Sequence, residues 1–254
     1  MRRKAVKRLE SIYVQQDVGR NNANIEAARE RLIRGQTYRD LSTICIVPII
    51  AKDEQGNPVN GIPHNVVQPW MNLATPMNQK FLRLFVPDKE VGDAYNQAVQ
   101  MILDNAELSK WKYILTLETD NCPAPDGLLK LYEGIQKFDA VGGLYWVKGE
   151  NGHPMIYGDP KVMPKNFIPQ LPQVDTIQEC NGLGMGFTLF KLDMFKKVPK
   201  PWFRTLQEYV PNQGMRAATQ DLYFFQEASK YGFRFACDTR CRVGHWDNQN
   251  QMMW

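Results

Sequence analysis

Four side chains carry most of the chemistry legible in this chain: Glu118 and Asp120, then Asp221 and His245 far downstream. The first two fall where the apolar run 111–117 ends. An acid-x-acid pair on extended chain directs both carboxylates to one side. Such oxygens suit a hard divalent cation, and a cation held there can bind a diphosphate. The position fits, because ligands of open α/β sheets bind beyond the carboxyl ends of strands. The same pair also reads as surface carboxylates capping a turn. Asp221 falls in the first turn of a helix that follows Thr219. There it either complements the helix dipole or acts as general base toward an acceptor hydroxyl. His245, one of 3 histidines, precedes Trp246. It reads as a packed side chain or as a nitrogen ligand that tilts a carboxylate shell toward Mn2+ over Mg2+. His64 and His153 lie in turn-rich stretches and carry no assigned role.

These residues need a scaffold, and the chain supplies the signals of an α/β sheet. Thr43–Ile50 is a short apolar run of the kind buried on both faces of a parallel sheet. Polar turn punctuation follows at Gly56-Asn57-Pro58 and Asn60-Gly61. Lys80–Val86 reads as a second strand. Val91, Ala94, Tyr95, Ala98, Met101 and Ile102 recur at helical spacing. The strand ending at Glu118 comes next, then a helix after Pro123-Ala124-Pro125 and a strand over Ala140–Val147. This alternation implies a mainly parallel sheet with right-handed crossovers.

The second half is less regular. Residues 149–175 and 199–218 read as Pro- and Gly-containing loops, the first long enough for a lid. Gly182–Phe190 reads as a glycine-studded strand, where glycine marks close approach of a ligand or another backbone. Thr219 caps a helix stopped by Gly232, and two short strands, Phe233–Cys237 and Arg242–Gly244, lead to His245. Residues 1–40 read as a basic helical extension, with a helix over Asn24–Arg34, and 41–254 as the catalytic domain.

Composition sets further bounds. The 254 residues are 43% hydrophobic and 23% charged, ordinary for a globular protein. No apolar run approaches the ~18–20 residues needed to cross a bilayer. No apolar segment follows the basic N-terminus, which reads against a secretory signal and toward a cytoplasmic location. The 5 cysteines form no paired framework and read as reduced structural thiols. Cys237-x-x-x-Cys241 is half of a zinc pattern with no second pair to complete it. The net charge is +4, concentrated at the N-terminus. Residues 1–40 hold ten basic and five acidic side chains, a net of +5. That excess suits nucleic acid, another polyanion or an acidic protein surface, and equally a solvated helix face.

Over residues 42–247 the chain resembles GT-A glycosyltransferases, especially their family-2-like group. Tyr113–Asn121 is similar to the strand ending in their acidic DxD motif. Gly184–Lys191 with Phe195 resembles their acceptor-side strand and helix. Thr219-Gln220-Asp221-Leu222-Tyr223-Phe224 resembles their paired-acid element, and Val243-Gly244-His245 their late metal-binding histidine. The resemblance implies a Rossmann-like, mixed and mainly parallel sheet flanked by helices. It implies hexosyl or pentosyl transfer from a nucleotide-sugar, UDP-linked in the first instance, with Mn2+ or Mg2+. Asp120 and His245 would hold the ion. Glu118 would contact the donor, or the ion through water, and Asp221 would be the base of an inverting transfer. Tyr95-Asn96 stands where relatives have an Arg-Asn pair, which makes Asn96 a donor-binding candidate. Two departures stand out: Glu118 lengthens the first acid by a methylene, and Gln220 replaces the first of the paired acids. Trp146, Trp202 and Trp246 are candidates for stacking on sugar or base.

The small size and basic extension are similar to virus-encoded sugar transferases. A hydroxymethylated DNA base is therefore one candidate acceptor, held through Arg2, Arg3, Lys4, Lys7 and Arg8, in the host cytoplasm if the chain is viral. Two alternatives compete. A nucleotidyltransferase should carry a glycine-rich basic loop after the first strand, where this chain has only Lys52 and Gly56. A non-catalytic nucleotide-sugar-binding module would keep the fold alone.

Overall fold

Thr43–Ile49 forms β1, and its alternation explains the whole architecture. Ile44 and Ile46 enter one hydrophobic core, while Cys45 and Val47 enter another on the opposite face. A strand apolar on both sides must be central, with helices covering each face. The computed structural model describes residues 39–50, 61–210 and 214–254. The expected helix over 24–34 and the turn at 56–60 lie outside them.

The elements after β1 are α1 (His64–Asn72), β2 (Phe81–Pro87), α2 (Val91–Asp104), a 3-10 turn (Leu108–Lys110), β3 (Tyr113–Leu117) and β4 (Asn121–Pro123). Then come α3 (Gly127–Gly134), β5 (Ala140–Leu144), β6 (Ile156–Tyr157), β7 (Ile177–Cys180), β8 (Gly182–Leu183) and β9 (Phe187–Lys191). The chain continues through α4 (Asp193–Lys197), β10 (Leu206–Val210), β11 (Gly214–Ala218), α5 (Gln220–Ser229), β12 (Phe235–Asp247) and β13 (Met252–Met253).

The main sheet runs β13-β12-β5-β9-β3-β1-β2, with β4 and β7 also paired to β12. Strands β2, β1, β3, β5 and β12 share one direction, and β9 runs against them between β3 and β5. The sheet is thus mixed and mainly parallel, flanked by helices, as expected. Faces of α2, α4 and α5 fill the first core, where Phe190, Phe195, Phe203, Phe224 and Phe225 pack ring on ring. Faces of α1 and α3 fill the second.

Several elements differ from the sequence reading. The two short strands before His245 are one 13-residue strand, β12, with a register shift between Asp238 and Arg242. Arg240 bridges that irregularity through ion pairs to Asp238 at 2.6 Å and Glu133 at 2.9 Å. The glycine-studded strand over 182–190 is two, β8 and β9, parted at Gly184-Met185-Gly186. The loop over 199–218 contains the hairpin β10–β11. Helix α1 went unread because its N-cap is Pro63, it has no acid in its first turn, and Pro69 sits inside it. Its tertiary anchors explain why it forms: Trp70 Nε1 donates to the Asn121 carbonyl at 2.8 Å and Ala74 N to the Pro125 carbonyl at 2.8 Å. All 5 cysteines are buried and unpaired. No helix of the described residues is long and apolar enough to cross a membrane.

Candidate active site

The backbone after β3 reverses at Glu118–Asn121, and three hydrogen bonds fix the reversal. Glu118 N donates to the Gly186 carbonyl at 3.2 Å, Asn121 N to the Glu118 carbonyl at 3.1 Å, and Trp246 N to the Asp120 carbonyl at 2.7 Å. Strand β4 then pairs antiparallel with the end of β12, setting His245 opposite Asn121. That register brings a histidine 125 residues away to the side of Asp120. Close approach is bought at two glycines. A Cβ at Gly186 would overlap the Asn121 carboxamide, and one at Gly184 the Tyr145 hydroxyl. The partners are therefore the protein's own side chains.

Asp120 Oδ2 lies 3.3 Å from His245 Nε2. The other ring nitrogen, Nδ1, lies 2.7 Å from the Trp146 carbonyl oxygen. A carbonyl only accepts, so Nδ1 carries the hydrogen and donates. In the neutral imidazole, Nε2 then presents a bare lone pair to a carboxylate oxygen. Two electron-rich atoms face to face need a positive charge between them, whether a proton or a metal ion. Ligating histidines almost always donate their second N–H to a carbonyl or carboxylate in this way. Burial opposes ionisation of Asp120, but its contacts with His245 and Lys148 outweigh it and hold the carboxyl below its usual range. An ionised carboxylate beside an oriented imidazole fits a divalent cation that takes its remaining ligands from water and phosphate. No group of three or more His, Cys, Asp or Glu side chains converges as a metal site among the described residues. Glu118 is therefore not gathered with Asp120 and His245 into a three-ligand shell.

Glu118 serves a different environment. Burial, then the negative charges of Asp120 and Asp221, push its carboxyl up to about 8, against the opposing effects of Lys148 and the Tyr95 hydroxyl. Tyr95 is fully buried, and the same burial and acidic neighbours raise its own pKa. Asp221, 6% exposed, heads α5. Burial raises its pKa, opposed by the Thr219 hydroxyl and the Leu222 N–H. Both of those donors reach Oδ1, and Oδ2 accepts no hydrogen bond from the described residues. A carboxylate with a raised pKa and a free oxygen is suited to take a proton. The charges of Asp120 and Asp221 both reach the Glu118 carboxyl.

Asn96, on α2, holds backbone. Its Nδ2 donates to the Phe203 carbonyl at 2.7 Å, and its Oδ1 accepts from Trp202 N at 3.0 Å and Phe203 N at 3.1 Å. It clasps the segment leading into β10. Trp202, 2% exposed, donates its indole N–H to the carbonyls of Phe195 and Val198 and is a core residue. Trp246 is buried too, and Trp146 is half-buried with its carbonyl on His245. Three contributors escaped sequence reasoning. Tyr145 packs edge-on against His245 at 5.6 Å while its hydroxyl accepts from Gly186 N. The Trp146 carbonyl sets the tautomer, and Lys148 pairs with Asp120 at 2.5 Å. Only the tertiary register brings these groups together, and no local pattern marks them.

No protein-family model matches the chain, and no curated protein matches it. Solved structures do. A197 from STIV superposes with a TM-score of 0.54 at 18% identity, over 84% of this chain and 92% of that one. GalNAc-T7, solved with UDP, GalNAc and Mn2+, gives 0.51 at 12% identity, over 82% of this chain and 44% of that one. The fold is that of GT-A glycosyltransferases. A third GT-A structure, TarS residues 1–349 from S. aureus, gives 0.43 at 12% identity over 80% of this chain and 59% of that one. The GT-A sheet accounts for where the acidic turn lies, at the end of β3 beside the reversed strand β9.

Proposed function

We propose that this chain is a metal-dependent glycosyltransferase that moves a sugar from a nucleoside-diphosphate sugar, UDP-linked, to an acceptor hydroxyl with inversion. One observation carries the reading: the Asp120 carboxylate and the His245 lone pair face each other, with the ring held by the Trp146 carbonyl. Asp120 and His245 would hold Mn2+ or Mg2+, which supplies positive charge at the departing diphosphate. Asp221 Oδ2 takes the proton of the acceptor hydroxyl as that oxygen forms its bond to the anomeric carbon. The bond from that carbon to the diphosphate breaks, and the nucleoside diphosphate leaves with the bonding pair. Glu118, protonated below about pH 8, can donate a hydrogen bond to the sugar or ribose without adding a third negative charge beside the diphosphate. GalNAc-T7 binding UDP and Mn2+ on the same fold supports the donor and ion as candidates.

The acceptor we propose is a hydroxymethylated base in DNA, with residues 1–40 as a basic extension to the domain over 41–254. The net +5 of that extension supports it, through attraction to phosphate. A viral source and a cytoplasmic setting belong to the same proposal. Purified protein with Mn2+, a panel of nucleotide-sugars and hydroxymethylated or plain DNA tests it. Release of nucleoside diphosphate with sugar on the modified DNA is the expected result. Pyrophosphate release would identify nucleotidyl transfer instead, and no product across the panel would leave a binding module.

A further inference from the structure

Asp120 Oδ2, the oxygen that faces His245, is also the oxygen Lys148 holds at 2.5 Å. Among the described residues, Lys148 and His245 are the side chains in contact with the Asp120 carboxylate. Lys148 rides on a tight turn closed by Val147 N to the His153 carbonyl at 2.9 Å and Gly152 N to the Gly149 carbonyl at 2.8 Å. Gly149 has a φ of 104°, a conformation that side chains disfavour, with open space where a Cβ would stand. The Lys148 and Asp120 side chains are 31% and 34% exposed, so the pair sits at the mouth of the site and can part at modest cost.

We propose that Lys148 is a tethered cation that holds Asp120 while the site is empty, yields that oxygen to a divalent ion, and then turns to the diphosphate. This rests on the metal-dependent reading above. An ammonium in contact with Oδ2 blocks an ion from the same oxygen, because two cations at that spacing repel. The free ion must therefore compete with Lys148. When ion and nucleotide arrive together, the freed ammonium gains phosphate oxygens as partners. Free metal binds weakly and metal with nucleotide binds strongly, so the site loads both as a unit.

The test is Mn2+ binding to the full chain by electron paramagnetic resonance, with and without UDP, for wild type, Lys148→Met and Lys148→Arg. Methionine keeps the unbranched stem and removes the charge, and arginine keeps the charge. Lys148→Met should bind free Mn2+ about fivefold more tightly than wild type and bind UDP, at saturating Mn2+, about tenfold more weakly. Lys148→Arg should stay near wild type in both. Equal or weaker binding of free Mn2+ by Lys148→Met overturns the role of Lys148 while leaving the metal reading intact. Failure of every variant to bind Mn2+ even with UDP overturns both.

Discussion

Replacing Glu118 with Gln probes the acidic face directly. Burial, with Asp120 and Asp221 nearby, lifts the Glu118 carboxyl from 4.5 to about 8. Below pH 4.5 the folded and unfolded chains both carry the proton, and the group has no effect on stability. Between 4.5 and 8 the folded protein keeps the proton while the unfolded chain loses it, so stability falls as pH rises. The slope is at most about 1.4 kcal/mol per pH unit for one group. Glu118 is half-buried, and with that screening the loss from pH 5 to pH 8 becomes about 2–3 kcal/mol. Gln fills nearly the same volume and does not titrate. The stability of Glu118→Gln minus that of wild type should therefore grow by about 2–3 kcal/mol across that range. Urea unfolding with chelator at pH 5, 6, 7 and 8 measures it. A difference that stays constant with pH would refute the raised pKa and the crowding of three carboxylates behind it.

Other perturbations address the supports and the base. Asn96→Ala removes all three hydrogen bonds to Trp202 and Phe203 and should lower unfolding stability by about 2–3 kcal/mol; a loss under ~0.5 kcal/mol would mean the clasp contributes little. Gly186→Ala drives a methyl into the Asn121 carboxamide and should cost about 1–3 kcal/mol, read in the same urea assay. Asp221→Asn should lower kcat about 10²–10⁴-fold while Mn2+ affinity stays unchanged. As the proposed base, Asp221 would work ionised, so wild-type turnover should fail with falling pH above the ordinary aspartate range, and the variant should lose that limb.

The sheet was legible because its signals are local. Val47 and Ile46 could be buried on opposite faces only in a central strand, and the spacing from Val91 to Ile102 admits only a helix. Asp120, His245 and Asp221 were candidates by residue type and by their places after strands or at a helix start. The pairing of His245 with Asn121 was not, since it depends on β4, a three-residue strand with no periodicity of its own. Helix α1 carries a proline in its interior and forms through Trp70 and the packing behind it, which propensity does not report. Asn96 was a candidate by its place beside Tyr95, and its hydrogen bonds to two backbone N–H groups and a carbonyl had no local signal. Lys148 lacked any signal, because a lysine in a polar turn is what a solvated loop also contains.

A crystal grown with Mn2+ and UDP, measured at a wavelength where manganese scatters anomalously, decides whether Asp120 and His245 share one ion. One strong anomalous peak is expected within bonding distance of both Asp120 and His245, with the UDP phosphates on its far side and Lys148 drawn off the Asp120 oxygen. Ordered UDP with that peak elsewhere, or with no peak at all, would contradict it.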